Sequence, residues 1–484
     1  MPHKEELAEI VGIESLVVQP DELLRYAKDH SFVQQATPQY VVRAKNTEQI
    51  QKIVRWANEK GRPLTPVSSG EPHFRGDTIP LFGGVILDLS QMNRIVRVNE
   101  RERVVMIEPG VTFTQLQPDL EKVGLRLPMP LCPRSSKSVV GSCLEREPHT
   151  IPKYHMDMSE PLLCVEVIFG TGDILKTGEA AGPGTIEEQW KKGRSQKLPS
   201  GPGQIGFSKL IQGSQGSVGI VTWASVRCEV LPKVHKLLFI PVQRIEDLID
   251  FVYQILRLRL GDECLLLNSL NFASLLGNGG DINWLKKGLP PWTLLLGIAG
   301  YEIFPEERVE YQEKDIADVA HQSGLSPVTT ISGISGDKVL GLLVKSSPEP
   351  YWKLKYKGEC HDIFFLTTLD KVPKFIDTMH RLAEAHQYSV ADMGIYIQPI
   401  QQGSSCHCEF NLTCNPADSR EVNKVRGLFL EASETLMMEG GFFSRPYGPW
   451  AEMAYNRDAA SRDAVRKIKG IFDPNNILNP GKLG

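Results

Sequence analysis

The sequence predicts an α+β fold, and two parts of the chain support this prediction. Between residues 40 and 124 the hydrophobic pattern gives a strand, a helix, a strand, a loop, two further strands and a helix. From residue 233 onward, a strand followed by a helix occurs about four times. Repeated units of this kind form a sheet with helices packed on it. We therefore expect the middle of the chain to be one sheet with helices on a face.

The first part begins with a short strand at Tyr40–Arg43 and continues into a helix over 46–61. Asn46 or Thr47 can cap the start of this helix, and Gly61 can end it. Its apolar residues recur at helical spacing from Ile50 onward, so one face is expected to be buried. The following strands are PLTPV, GGVILDLS and RVVMIEPG, and the closing helix is TFTQLQPDLEKVG.

In the second part the strands are KLLFIPV, TLLLGIAGY, DIFFLTTL and CHCEFNLTC, and each is followed by an amphipathic or charged helical stretch. The tail is predicted to be a helix that stops at Asp473-Pro474. Residues 178–206 are rich in glycine, proline and charge. We interpret them as a surface loop that serves as a lid or a partner contact.

Composition excludes several classes of protein. The 484 residues carry a net charge of -4, unlike the basic surface of a nucleic-acid binder. The N-terminus is charged from residue 4, and no apolar run approaches the length of a membrane span. The nine cysteines are an odd number without metal-site spacing, which favours reduced thiols. These observations predict a cytoplasmic protein.

The loop TPVSSGEPHFRGDTIP, residues 65–80, follows a strand and is crowded with turn-forming residues. Ser68, Ser69 and Gly70 allow a close approach of the backbone to a ligand, and Gly76 supplies a permissive conformation. Several backbone N–H groups that point to one place form a nest that binds phosphate. The loop therefore indicates a phosphate-bearing cofactor, although many surface turns have a similar composition.

A series of motifs along the whole chain resembles the FAD-linked oxidoreductases of the vanillyl-alcohol oxidase and p-cresol methylhydroxylase superfamily, and also the FAD subunits of D-lactate and glycolate dehydrogenases. After the loop, these motifs are GGVILDLSQMNRI, VVMIEPGVTFTQLQPDLEKVGLRLP, SVVGSCLERE, LLCVEVIFGTGDILKTG, GSQGSVGIVTWASVR and FDPNNILNPGKLG. The resemblance implies a two-part FAD-binding domain of the PCMH type with an inserted, ferredoxin-like α+β cap. The expected boundaries are 1–232 and 435–484 for the FAD domain and 233–434 for the cap.

The resemblance also implies which residues contact FAD. They are Pro66, Val67, Ser68, Ser69, Gly70, Glu71, Pro72, His73, Phe74 and Gly76 in the loop, Pro133, Ser138, Gly141 and Ser142, the segment Gly213, Gly216, Gly219, Ile220 and Val221, and finally Asn479 and Lys482. Some family members bind FAD covalently through a histidine. His361 lies near that region but about two residues away from the match, so we expect non-covalent FAD.

Two arginines indicate the substrate class. Arg75 stands where the phenol-oxidising branch of the family usually has a tyrosine, and Arg445 matches an arginine that serves the phenolate site of that branch. Two guanidinium groups in one pocket would suit a carboxylate, because arginine binds it through two parallel hydrogen bonds. We therefore expect a 2-hydroxy acid or an aromatic acid. The alternative is that both arginines form structural ion pairs.

Further side chains are candidates for acid–base work. Asp157 matches an aspartate near the flavin in phenol-oxidising members, and Tyr154, His155, His407 with Glu409, and Tyr447 are the others. Cys406-His407-Cys408 looks like a metal cluster, but neighbouring residues on a strand point to opposite faces, and the family's histidine-rich metal motif is absent. We expect no metal.

Three functions remain open at this point. The leading one is an FAD-dependent dehydrogenase that removes a hydride from a carboxylate-bearing alcohol and passes electrons to a protein or quinone acceptor. The second is a 4-alkylphenol or vanillyl-alcohol type oxidase or hydroxylase. The third is the FAD subunit of a multi-subunit electron-transfer complex. Each would bind a small-molecule substrate, with no nucleic acid and no membrane span, and each is compatible with a homo-oligomer or a hetero-complex.

Overall fold

The computed structural model describes residues 3–152, 160–201, 203, 206–401 and 405–483. It is an α+β structure, as the sequence predicts. Within the described residues, no helix has both the length and the apolar composition needed to cross a membrane.

The first sheet is built from the N-terminal quarter of the chain. Its strands are β1 (Leu16–Val17), β2 (Tyr40–Arg43), β3 (Leu64–Val67) and β4 (Val85–Asp88), in the order β1-β2-β4-β3, and the helices are α1 (Lys4–Val11), α2 (Pro20–Arg25) and α3 (Thr47–Lys60). Strands β2, β3 and β4 are parallel. Helix α3 confirms the prediction: the Asn46 side chain accepts a hydrogen bond from Gln49 N, and Gly61 ends the helix with a φ of 59°.

The second sheet has five antiparallel strands in the order β5-β6-β10-β8-β9. They are β5 (Ile95–Asn99), β6 (Val104–Ile107), β8 (Leu162–Phe169), β9 (Ile174–Lys176) and β10 (Gly219–Arg227); β7 (Leu125–Arg126) pairs with β11 (Glu229–Val230), and the helices are α4 (Phe113–Glu121), α5 (Val139–Leu144), α6 (Ile186–Lys191) and α7 (Phe207–Ile211). Strand β5 was not predicted, because its half-exposed residues give little hydrophobic signal.

The prediction of a surface loop over 178–206 is wrong for Gly178–Ala181 and Ile186–Lys191, whereas the described residues from 192 onward are loop with mostly exposed or half-buried side chains. Gly178–Ala181 form a 3₁₀ turn, and α6 begins with a capping box between Thr185 and Glu188. Ala180 and Ile186 are buried against Met106 and Cys164 of the second sheet. The segment is thus part of the packed structure, held in place by its apolar residues and its helix cap.

The third sheet has six antiparallel strands in the order β12-β14-β13-β18-β19-β17. The strands are β12 (Val234–Val242), β13 (Cys264–Asn268), β14 (Trp292–Gly300), β17 (Glu359–Thr367), β18 (Met393–Gln401) and β19 (Ser405–Cys414), with a small hairpin of β15 (Thr330–Ile331) and β16 (Ile334–Ser335). The helices are α8 (Glu246–Leu258), α9 (Ser269–Leu276), α10 (Ile282–Gly288), α11 (Pro305–Gln322), α12 (Gly336–Leu343), α13 (Val372–Ala385) and α14 (Ser419–Met438).

The four predicted strand-then-helix units are β12-α8, β14-α11, β17-α13 and β19-α14, and their helices pack on one face of this sheet, as expected. Two features differ from the prediction. Strands β13 and β18 extend the sheet to six strands, and helices α9, α10 and α12 cover part of the opposite face. The uncovered part of that face, at β17, β18 and β19, is turned toward the loop that follows β3.

The C-terminal segment returns to the first two sheets. It contains α15 (Pro449–Tyr455) and α16 (Ala459–Phe472), and α16 ends before Asp473, as predicted. Asn479 N donates to Leu64 O at 2.7 Å, and Lys469 Nζ donates to Ser217 O at 2.7 Å. The domain boundaries at 232/233 and 434/435 remain a prediction.

Candidate active site

A groove runs between the loop after β3 and the exposed part of the third sheet. Its lining comes from three parts of the chain: Pro66–Ser69, His73–Arg75, Asp77 and Thr78 in the loop, residues in the range 130–148, and Tyr351, Lys353, Asp362, Tyr396, His407, Glu409 and Arg445. A second cavity shares Pro66, Ser68, Asp77 and Glu145 with the groove and extends it along Gly213–Gly216 and Gly219–Val221. The two together form one long cleft.

The loop presents backbone donors to this cleft. Gly70 N is bonded to Ser136 O at 3.0 Å, and Gly76 N to Asp29 Oδ2 at 2.6 Å. The N–H groups of Ser68, Ser69, Glu71, His73, Phe74 and Arg75 have no hydrogen-bond partner within the described part of the chain. Unpaired N–H groups in a tight loop form an anion-binding nest. Four predicted loop contacts, Gly70, Glu71, Pro72 and Gly76, do not line the cleft, and the Glu71 side chain pairs with Arg25 at the surface, 3.1 Å away.

Glycines let the backbone approach closely in the second cavity. Gly216 has a φ of +70°, and a Cβ there would lie 2.4 Å from Pro66 Cγ. A Cβ on Gly219 would lie 2.4 Å from Val167 Cγ2, and one on Gly141 would lie 3.0 Å from Ser68 Oγ. Glycine therefore lets the backbone pack closely against neighbouring residues at these places.

Four of the predicted FAD residues support the cleft without lining it. Lys482 Nζ donates to Gly76 O at 2.5 Å, and Asn479 Nδ2 donates to Asp77 O and Gln215 O. Ser138 caps helix α5 by accepting from Gly141 N, and Ser142 Oγ donates to Glu147 Oε2 at 2.6 Å. Burial lowers the pKa of Lys482 to about 8. These residues fix the loop and the helix against each other.

The charge of Arg75 is balanced by carboxylates of the protein itself. It forms ion pairs with Glu145 and with Glu147, the latter at 2.9 Å, and its guanidinium lies 5.1 Å from the ring centres of both Phe364 and Tyr447. Burial lowers the pKa of Arg75, but the two carboxylates outweigh this effect and leave the pKa raised. For Arg75, the structural ion pair is therefore the better interpretation, and the described residues do not leave Arg75 and Arg445 both free for a substrate.

Arg445 has a different environment. It is 3% exposed, lies over the Phe364 ring at 4.3 Å, and has no carboxylate within ion-pair distance among the described residues. Its Nε is buried without a hydrogen-bond partner. Burial and the neighbouring Arg75 charge lower the pKa of Arg445 to about 10. A buried cation in this condition is costly until an anion joins it.

His407 lies beside Arg445 at the end of a buried polar chain. Arg445 Nη2 donates to His407 Nδ1 at 3.2 Å, and because a guanidinium has no acceptor, Nδ1 is unprotonated and Nε2–H donates to Glu409 Oε2 at 3.0 Å. Glu409 in turn pairs with Lys353, which donates to Asp362 Oδ2 at 2.6 Å. Burial lowers the pKa of His407 to about 4, against the opposing effect of Glu409.

The remaining candidates are placed as follows. Tyr447 lines the second cavity and packs on Arg75. Tyr154, His155 and Asp157 lie outside the described residues. Cys406 and Cys408 point into the helix-covered core while His407 faces the groove, which confirms the predicted alternation.

His361 does not line the groove. It packs on Phe32 at the edge of the third sheet, with ring centres 3.9 Å apart. This position does not support a covalent link between FAD and His361, and non-covalent FAD stays a prediction.

Sequence reasoning missed several groove residues. Asp362 and Lys353 carry no local motif. Arg134 follows Pro133 in the segment that the resemblance assigns to the cofactor, and it is a second buried cation without a carboxylate partner in the described ranges that donates to Gly70 O at 3.0 Å. Glu145 and Glu147 lie within or beside a segment matched to the cofactor, but nothing local shows that they pair with Arg75.

Comparison with known proteins decides the family. Residues 38–178 match a family model described as FAD binding domain, and residues 291–483 match one described as FAD linked oxidases, C-terminal domain. The chain belongs to the FAD-linked oxidoreductases. It is an FAD-dependent oxidoreductase, and FAD is its cofactor.

Curated relatives of this flavoprotein share little sequence but cover its whole length. It is 24% identical to glycolate oxidase subunit GlcD of Bacillus subtilis (strain 168), over 99% of this chain and 96% of the relative. It is 24% identical to D-2-hydroxyglutarate dehydrogenase of Stutzerimonas stutzeri (strain A1501), over 99% and 98%, and 23% identical to the 4-cresol dehydrogenase [hydroxylating] flavoprotein subunit of Pseudomonas putida, over 98% and 94%.

Solved structures confirm the fold of the flavoprotein. The 4-ethylphenol oxidase from Gulosibacter chungangensis superimposes with a TM-score of 0.83 at 20% identity, covering 99% of this chain and 96% of that one. p-Cresol methylhydroxylase superimposes with a TM-score of 0.79 at 20% identity, with the same coverage.

The cleft has the donor set and the clearance that FAD requires. The unpaired N–H groups of the loop over 68–75 suit its diphosphate, and the second cavity, which Gly141, Gly216 and Gly219 line, extends the groove as an elongated ligand requires. Arg134, buried beside Gly70, adds positive charge at the loop. The loop and the glycine-lined cavity would therefore hold FAD, and the part of the groove around Arg445 and His407 would stay open to a substrate.

Proposed function

We propose that this flavoprotein is a dehydrogenase of small alcohols that carry a carboxylate, such as 2-hydroxy acids. The observation that carries the proposal is Arg445, a buried guanidinium at the groove without a carboxylate partner among the described residues. A substrate carboxylate would supply the missing partner through two parallel hydrogen bonds. The names of the glycolate and D-2-hydroxyglutarate relatives support the same substrate class.

Oxidation of such an alcohol removes a hydride from carbon and a proton from the hydroxyl group. FAD, when bound, accepts the hydride. Arg445 would hold the carboxylate, and His407 Nδ1 would accept the proton. In the structure an Arg445 N–H donates to His407 Nδ1, so Nδ1 can accept the proton once that N–H donates to the substrate instead. Glu409, bonded to Nε2–H, would stabilise the imidazolium that forms.

Electron transfer beyond the flavin is proposed to use a protein or quinone acceptor. The glycolate oxidase and 4-cresol dehydrogenase relatives are both named as subunits, which supports a homo-oligomer or a hetero-complex. We further propose a cytoplasmic location. All nine cysteines lie in the described ranges as free thiols, which suits a reducing compartment.

A 4-alkylphenol is the second candidate substrate, because Arg445 would also pair with a phenolate, and 4-cresol dehydrogenase is among the relatives. Anaerobic titration of the FAD-loaded protein separates the two. Glycolate, D-lactate, L-lactate and D-2-hydroxyglutarate form one panel, and 4-cresol and 4-ethylphenol form the other, with bleaching of the flavin absorbance as the readout. Bleaching by a hydroxy acid alone supports the proposal, whereas bleaching by phenols alone contradicts it.

A further inference from the structure

A cluster of three metal-ligand side chains lies at the outer edge of the third sheet. Glu359 and Cys414 are directly opposite each other on strands β17 and β19, and His361 follows two residues after Glu359. Residues two apart on a strand, and residues directly opposite on its neighbour, share a face of the sheet. One ligand atom of each residue lies within 4.8 Å of the other two. This face is opposite to the one that carries His407.

The His361 ring points an unpaired nitrogen at this cluster. The residue is 4% exposed, and its Nε2 has no hydrogen-bond partner within the described residues. The nearest charged atom is Glu359 Oε1, 3.9 Å away. Stacking on Phe32, with ring centres 3.9 Å apart and planes 17° apart, fixes the orientation of the ring. A buried ring nitrogen without a partner is rare and calls for an explanation, and an ion bound at this nitrogen provides one.

We propose that Glu359, His361 and Cys414 bind a divalent transition-metal ion of the zinc type. A thiolate, a neutral imidazole and a carboxylate form a ligand set that suits Zn²⁺. Ligands bound at about 2.0–2.3 Å in a tetrahedron lie about 3.5 Å apart, so the side chains must close by about 1 Å. Glu359 is 17% exposed, and water can therefore reach the fourth position.

Neighbouring residues hold the cluster without completing it. His30 Nδ1 lies 3.5 Å from Glu359 Oε1 and orients that carboxylate. Asp29 is committed elsewhere, because its carboxylate accepts from Ser31 N, Ser31 Oγ and Gly76 N. These contacts give the ion a structural role, which is to fix the segment 29–33 to the third sheet.

That segment also supports the cofactor loop. His30 N donates to His73 O at 2.9 Å, and Asp29 accepts from Gly76 N at 2.6 Å. An ion bound by the sheet edge would therefore steady one side of the loop over 66–76. The proposal is independent of the substrate proposed above, since no ligand of the ion lines the substrate part of the groove.

Metal content of the FAD-loaded protein tests the proposal. The protein is exposed to Zn²⁺, passed through gel filtration and analysed by inductively coupled plasma mass spectrometry. We expect one equivalent of zinc per chain. Replacing a residue that only orients a ligand weakens metal binding about 10- to 100-fold, and we expect this loss for His30→Ala. Cys414→Ser and His361→Gln remove ligands and should each weaken zinc binding by more than about 100-fold. Cys408→Ser is the matched control, a buried thiol on the same strand and face.

Zinc K-edge absorption of the loaded wild type provides a second measurement that does not depend on folding of a variant. We expect one sulfur at about 2.3 Å and nitrogen or oxygen at about 2.0–2.2 Å. Absence of retained zinc in the wild type would overturn the proposal. So would a sulfur-free spectrum, or equal loss of zinc in Cys408→Ser and Cys414→Ser.

Discussion

Arg445 and His407, 38 residues apart in the chain, are joined by a hydrogen bond of 3.2 Å from Nη2 to Nδ1. The bond assigns the proton of the imidazole to Nε2, where Glu409 accepts it. It also couples anion binding to proton uptake, because an anion that takes the Arg445 donor frees the Nδ1 lone pair. This single contact therefore links the proposed recognition of the substrate to the proposed base.

Replacement of Arg445 should weaken the substrate complex. In Arg445→Gln, we expect the hydroxy-acid concentration for half-maximal bleaching of the flavin to rise about 10- to 100-fold, because hydrogen bonds to a charged group contribute about 1.5–3 kcal/mol. Arg445→Lys should retain only part of the substrate affinity, since the lysine ammonium does not form the two parallel hydrogen bonds of a guanidinium. Arg244→Gln, at an exposed arginine that does not line the groove, is the control and should leave the titration unchanged.

Arg75 should matter for stability and not for substrate binding. Removing Glu147 leaves part of the Arg75 charge unpaired, and we expect Glu147→Gln to lower the free energy of unfolding by roughly 3 kcal/mol. In the double variant Arg75→Met/Glu147→Gln, the loss should be smaller than the sum of the single losses. Urea denaturation measures both quantities. A large effect of Arg75→Met on half-maximal bleaching, with unchanged stability, would show instead that Arg75 binds the substrate.

The low pKa of His407 sets the pH dependence of the reaction. Burial lowers this pKa to about 4, so the imidazole is neutral and able to accept a proton at all higher pH values. The rate of flavin bleaching by a hydroxy acid should therefore be independent of His407 ionisation near neutrality and should fall as the pH drops through about 4. Stopped-flow absorbance checks this profile. His407→Gln should slow bleaching by about 100- to 10,000-fold; an unchanged rate would exclude His407 as the base.

Gly216 should be required for cofactor retention. An alanine Cβ there would lie 2.4 Å from Pro66 Cγ, and the φ of +70° adds about 1–2 kcal/mol of backbone cost for any other residue. We expect Gly216→Ala to lose FAD on gel filtration, measured by the ratio of flavin to protein absorbance. Gly341→Ala is the control, because its Cβ would meet no atom within 4 Å in the described structure. Equal FAD content in both variants would contradict the assignment of this cavity.

Local patterns predicted several of the long elements, with the nine-residue strand β18 as an exception. Helix α3 could be predicted with its cap and buried face because hydrophobic spacing and capping residues lie next to each other in sequence. Strands β5 and β13, five residues each, carry too few residues to show a period, and β18 was also missed, so the sheet order could not be predicted.

Some residues of the site could be predicted from local sequence, and others could not. The loop over 66–76 and Arg445 lie in segments that resemble the family, and His407 was a candidate because a histidine beside a glutamate can carry out acid–base chemistry. The partners of Arg75 are 70 and 72 residues away, and Lys353 reaches Glu409 across 56 residues. Ion pairs between distant segments leave no local pattern. The double-arginine interpretation was wrong for this reason, since two carboxylates of the protein already neutralise Arg75.

The central claim is that Arg445 recognises a carboxylate on the substrate. Anaerobic bleaching of the flavin by the most effective 2-hydroxy acid and by its methyl ester, at matched concentrations, tests this claim most directly. We predict that the acid bleaches the flavin and that the ester needs about a 10- to 100-fold higher concentration for half-maximal bleaching, because the ester carries no negative charge to pair with the guanidinium. Equal bleaching by the acid and the ester would contradict the claim.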